Sequence, residues 1–272
     1  MVTVRSPAVA GSFYPADANA LRRMIREQLA RARASFVPRG PLPKALIVPH
    51  AGYVYSGPVA AQAFVLLEGA RERVERVVLL GPSHHVPFSG LAVPSSDAFE
   101  TPLGRVLIDG ELRRRVLDLP FVEVFDEAHH WEHSLEVELP FLQEVLGTFA
   151  LLPIAVGRAT AEEAGKALEA VWGGEETLLV ISSDLSHYHD YETAKQMDNA
   201  TASAIESLDP ERIGHEDACG RIGVQGLLGL ARRHSLAAHT LDLRSSGDTA
   251  GGRREVVGYG AWAFTVSKNG SP

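Results

Sequence analysis

The chain has 272 residues, with 26 basic and 34 acidic side chains and a formal charge of −8. That balance repels a phosphate backbone, so nucleic-acid binding is not expected. Apolar residues make up 45% of the chain, enough for a sizeable core, yet no run approaches the roughly eighteen apolar residues of a membrane span.

The opening stretch Met1–Pro15 lacks the charged start and apolar centre of a secretion signal, which points to the cytoplasm. The single cysteine, Cys219, excludes an intrachain disulfide and suits a reducing compartment, where its thiol is free for other chemistry. With no repeat, low-complexity tract or long linker, residues 1–272 read as one domain.

Residues 17–34 carry Leu21, Met24, Ile25 and Leu29 at helical spacing. Arg22, Arg23, Arg26, Arg31 and Arg33 form the wet face of that helix. Pro38, Gly40, Pro41 and Pro43 then break the chain. Short β-branched or leucine-rich runs follow at Ala45–Val48, Val77–Leu80, Leu151–Val156 and Leu178–Ile181, with Val256–Thr265 closing the chain. Helical patterns lie between them at Pro58–Leu67, Ser134–Leu146, Ala161–Trp172, Glu192–Leu208 and Ile222–Arg232. Apolar runs alternating with helices predict an α/β fold with a mixed, largely parallel central sheet covered by helices. Ligands of such sheets bind beyond the carboxyl ends of the strands.

Three of these runs lead directly into a histidine: His50 after Val48, the His84-His85 pair after Leu80, and His187 after Ile181. If the strands are parallel neighbours, the three histidines converge on one sheet edge. A fourth cluster, His129-His130-Trp131-Glu132-His133, precedes the helix expected near Ser134. A histidine at a strand end is commonly a hydrogen-bonded surface residue, and a pair sends its side chains to opposite faces. Three at equivalent strand ends, each flanked by Gly, Pro or Ser, instead point to a metal, because neutral imidazole offers a directed lone pair.

His50 and one of His84 or His85 supply two nitrogens, and Cys219 supplies a sulfur donor. A glycine and polar neighbours suit that thiol better than core packing does. Such a set leaves a coordination position open and accepts iron, copper or zinc. Asp184 lies three residues before His187, where its carboxylate either orients the imidazole as an acid or base or caps the turn. His133 and Glu136, at the start of the expected helix, would share a face and form a wall of the pocket. Tyr14, Tyr53, Tyr55, Phe88, Phe99 and Trp131 are core residues or the lining of a cleft for a peptide or protein.

Six blocks together resemble the Memo family: Gly11-Ser12-Phe13-Tyr14; Pro49-His50-Ala51-Gly52-Tyr53; Leu80-Gly81-Pro82-Ser83-His84-His85-Val86-Pro87; Glu132-His133-Ser134-Leu135-Glu136; Ser182-Ser183-Asp184 with His187; and Cys219-Gly220-Arg221. The resemblance runs from about residue 5 to about residue 265 and implies a fold like that of class III extradiol ring-cleaving dioxygenases. It places His50, His84 and Cys219 in a metal pocket, with Asp184 and His187 as catalytic groups. It further implies iron or copper as the ion, with zinc possible, redox chemistry, and a radical-SAM protein as partner. A small molecule or peptide is a further ligand to expect. Those dioxygenases hold iron with two histidines and a carboxylate. Where they use that carboxylate this chain has Cys219, and a thiolate alters the charge and redox potential of the site and is itself easily oxidised.

Overall fold

A computed structural model of the protein describes residues 2–35 and 41–266. The short strand β1 (Val4–Arg5) leads to helix α1 (Ala18–Ser35), whose buried stripe is Leu21, Ile25, Leu29 and Ala32. Strand β2 (Ala45–Val48) precedes α2 (Gly57–Phe64), and β3 (Arg76–Pro82) is the next long strand. A run of small elements then follows: β4 (Leu91–Val93), β5 (Ala98–Thr101), β6 (Gly104–Ile108), α3 (Gly110–Leu117), β7 (Val122–Val124) and α4 (Glu127–His130). The chain continues through α5 (Leu139–Leu146), β8 (Ala150–Val156), α6 (Ala161–Ala170), β9 (Thr177–Ser182), β10 (His187–His189) and α7 (Tyr191–Glu206). It closes with α8 (Arg221–Arg233), β11 (Leu236–Ser245) and β12 (Val256–Val266).

The sheet has the order β1-β5-β6-β8-β3-β9-β2-β12-β10, with β11 on β12 and β4 on β8. Its centre, β8-β3-β9-β2, is parallel, whereas β12 runs antiparallel to β2. The expected mixed, largely parallel sheet is therefore present. Alternation along the central strands sorts two cores. Leu46, Val48, Val77, Leu79 and Val180 face α1, α2 and α5. Ala45, Ile47, Val78, Leu80 and Ile181 face α6 and α8 on the other side. Buried on both faces, the middle residues of the central strands are apolar, with polar residues confined to strand ends such as Arg76, Thr177 and Ser182. Among the described residues no helix is long and apolar enough to cross a membrane.

Most expected elements stand within a residue or two of their predicted bounds; the stretch from Ser134 is the exception. Its α-helix begins only at Leu139, after a single 3₁₀ turn at Glu136–Glu138. The reason is local: the Glu132 carboxylate takes the main-chain N–H groups of His133 and Ser134, both at 2.9 Å, so the chain there is held by a side chain. α6, by contrast, starts where its sequence says, at a Thr160–Glu163 capping box.

Candidate metal centre

β3, β9 and β2 are adjacent and parallel, so the residues just past their carboxyl ends gather at one edge. His50 follows β2 and His84 follows β3, while Cys219 sits two residues ahead of α8. One ligand atom from each of His50, His84 and Cys219 lies within 4.8 Å of the others. His50 Nε2 is 3.4 Å from Cys219 Sγ. Two such donors on one tetrahedral ion, with bonds of about 2.1 and 2.3 Å, would stand roughly 3.6 Å apart. The residues fit a metal ion. His50 is 2% exposed and Cys219 half-buried, while His84 lies on the open side.

Each imidazole is oriented through its other nitrogen. His50 Nδ1 is 2.7 Å from Ser182 Oγ, and that hydroxyl is 2.6 Å from the Ser134 carbonyl, which can only accept. The Ser182 proton therefore goes to Ser134, and Ser182 receives one from His50 Nδ1, leaving Nε2 with a free lone pair. Glu138, 2.9 Å from the same hydroxyl, is pushed well above the usual carboxylate range by its burial. His84 Nδ1 donates to Glu132 Oε1 at 2.9 Å, which frees its Nε2 in the same way. Such carboxylate–histidine pairs fix tautomer and ring angle at metal sites.

Burial pushes His50 well below the usual histidine range, and the neighbouring His84 and His133 rings add to the effect. Burial also takes His133 down to about 4. These rings stay neutral at pH 7, the form that ligates. Burial acts to raise Glu132, but the hydrogen bond and charge of His84, with main-chain N–H groups, hold it at about 2. Burial carries Asp184 up to about 7 against the hydrogen bonds it accepts. The Cys219 thiol is pushed up to about 12 by burial, with Asp184 adding to it.

A pH prediction follows for protein stripped of metal by a chelator. At pH 8 about one Cys219 thiol in 10⁴ would be ionised, against roughly a quarter of an ordinary thiol. Reaction with Ellman's reagent is expected to be at least 100-fold slower than that of glutathione, and to rise about tenfold per pH unit. A rate equal to glutathione's at pH 8 would contradict the buried, protonated thiol.

Asp184 and His187 reach the site by different routes. Asp184 Oδ1 accepts from the His50 main-chain N–H at 2.8 Å, and its own N–H lies 3.3 Å from Cys219 Sγ. Asp184 thus ties the end of β2 to the cysteine. Among the described residues no hydrogen bond joins it to the His187 ring. His187 is half-buried, is lowered by its burial, and senses the charge of His84. His85 is exposed, its ring 5.9 Å from that of His133 and outside the trio.

His133 does line the pocket, with its ring stacked 4.6 Å from His84 and tilted 4.7 Å from Phe13. Glu136 instead turns away into the core, because residues 132–135 are not helical and a three-residue spacing does not hold the two on one face. It pairs with Arg5, accepts from Tyr14 and takes the main-chain N–H groups of Ala8 and Val9 at 2.7 and 3.0 Å. His129 is core, bonded through Nε2 to the Ala92 carbonyl. Of the six aromatics singled out in the sequence, Tyr14, Tyr53 and Phe99 are buried, Phe88 is half-buried, and Tyr55 and Trp131 are exposed. Sequence reasoning assigned no role to Glu132, Ser182 or Glu138; Glu132's place beside His133 was the one available signal.

A largely parallel α/β sheet with imidazole and thiol donors at its carboxyl edge defines a class of proteins with a potential metal centre. The Memo-like protein family model matches residues 5–263, and the chain belongs to the Memo family. A MEMO1 family protein of Aquifex aeolicus is 40% identical over 268 residues, covering 94% of this chain and 97% of the relative. One of Sulfolobus acidocaldarius is 35% identical over 279 residues, with 94% and 97% covered. The fold is also similar to an Escherichia coli K12 structure described as an uncharacterized protein, JW3007, at a TM-score of 0.54 and 14% identity, covering 81% of this chain and 99% of that one.

Proposed function

We propose that the protein is a metal-binding redox protein whose resident ion is held by His50 Nε2, His84 Nε2 and Cys219 Sγ. The observation that supports this reading most is the pairing of three converging donors with anchored rear nitrogens on both imidazoles. Mixed nitrogen and sulfur donors favour iron or copper and also accept zinc. The bound ion would supply a one-electron couple and Lewis acidity next to an open coordination position.

The chain's own groups do the rest. Ser182 and Glu132 set the ring angles, and Phe13 closes one side against His133. Asp184 and His187 are the proton carriers: burial brings the Asp184 carboxyl to about 7, so near neutrality it both holds and releases a proton, and His187 is a neutral acceptor. A reducing cytoplasm would keep Cys219 available as a ligand.

Metal content of protein purified without a histidine tag tests the ligand set. The wild type is expected to carry close to one ion per chain, and His50→Ala, His84→Ala and Cys219→Ala each less than a tenth of that. Unchanged content in all three would refute the assignment. Electron paramagnetic resonance before and after ascorbate should show the ion changing oxidation state, and an ion silent in both conditions would argue for a role without redox chemistry.

A further inference from the structure

A second set of donors stands beside the first and shares one residue with it. His84, Glu132 and His133 each offer an atom within 4.8 Å of the others. Glu132 Oε1 lies 2.9 Å from His84 Nδ1 and 3.3 Å from His133 Nδ1. Neighbouring donors on a tetrahedral ion with bonds of about 2.0–2.1 Å stand roughly 3.3–3.4 Å apart, so this spacing closes on an ion with small adjustments.

The charge is also set for one. The Glu132 side chain is 1% exposed, and among the described residues its carboxylate meets the imidazoles of His84 and His133 and the main-chain N–H groups of His84, His133 and Ser134. The Arg5 guanidinium bonds the Glu132 carbonyl and forms its ion pair with Glu136 instead. Among the described residues no lysine or arginine pairs with this buried carboxylate, and where the imidazoles are neutral a metal cation supplies the missing charge. His84 is exposed and His133 half-buried, so this position opens to solvent, unlike the buried His50.

We infer that His84, Glu132 and His133 form a second cation station for a divalent transition metal, and that the two stations share the His84 ring. The inner ion takes His84 Nε2, as proposed above, and the outer ion takes Nδ1. Binding there replaces the Nδ1–H hydrogen bond to Glu132, and the displaced proton leaves to the solvent. Bonds of about 2.1 Å on either side of one ring put the two ions roughly 6 Å apart. The inference rests on the proposed function only for the inner partner of His84.

Anaerobic titration of the metal-free full chain with Co(II), followed by equilibrium dialysis and visible spectroscopy, tests it. The wild type, whose solvent-open outer station fills only when metal is added, should saturate at two ions per chain. His133→Asn should saturate at one while keeping the thiolate-to-cobalt charge-transfer band of the inner ion, and Glu132→Gln, which also removes the acceptor that orients His84, should lose the outer ion and weaken that band. Cys219→Ser should lose that band and keep the outer ion. His133 is half-buried, so His133→Asn decides the question even where Glu132→Gln fails to fold. Saturation of the wild type at one ion, or a second ion that persists in His133→Asn, overturns the outer station. If the charge-transfer band never appears but His133→Asn still loses an ion, the outer station stands and the inner ligand set is what fails.

Discussion

Arg5→Met is expected to lower the unfolding free energy by about 3–5 kcal/mol, the loss typical when one partner of a buried ion pair is removed. The Arg5 side chain is 7% exposed and that of its partner Glu136 is 0%. The same guanidinium donates to the carbonyls of His129 and Glu132, at 2.9 and 2.5 Å. Methionine fills much of the volume but leaves a buried carboxylate without its countercharge and two carbonyls without the guanidinium donor. Because these contacts hold the chain between His129 and Glu136, the variant should also loosen Glu132 and with it His84. Urea denaturation followed by circular dichroism, together with metal content, reads both effects. The double variant Arg5→Met with Glu136→Gln should recover part of the loss, since it no longer buries an unpaired charge. A change below about 1 kcal/mol for Arg5→Met would mean that this clamp contributes little.

Gly220→Ala should damage the metal centre more than the fold. Gly220 has φ −90°, so its backbone is available to any residue, and the constraint is space. An added Cβ would stand 2.6 Å from the Ser182 carbonyl oxygen and 2.6 Å from Ser183 Cβ. The end of β9 and the start of α8 must then separate, and Cys219 moves with the latter. Overpacking of this kind destabilises by about 1–3 kcal/mol. The 3.4 Å approach of Cys219 Sγ to His50 Nε2 is lost as well, so metal content should fall at least tenfold. Gly229→Ala in the same helix is the control: nothing lies within 4 Å of its added Cβ. Helix propensity then predicts a gain of about 0.5–1 kcal/mol and no change in metal. Equal metal loss in both variants, by elemental analysis beside thermal melts, would show that the close contact at Gly220 is not what places the cysteine.

The sequence by itself determined the parts governed by near neighbours. Runs such as Ala45–Val48 and Leu178–Ile181 are short, apolar and rich in leucine and β-branched residues, which predicts strands buried on both faces, and both are. The stripe Leu21, Ile25 and Leu29 specified α1, and histidines directly after strands marked the sheet edge where a ligand would sit. Short strands such as Leu91–Val93 and Val122–Val124 carry too few residues to show a period and went unseen. Only the tertiary structure decided that β3, β9 and β2 lie side by side, which brings Cys219 to His50 across 169 residues. It also decided that Asp184 serves the His50 main chain, that Glu136 anchors the N-terminal segment, and that Glu132 holds His84. A carboxylate bonds whichever donor the fold places within about 3 Å, and that choice depends on packing between distant segments, on which local residue order is silent.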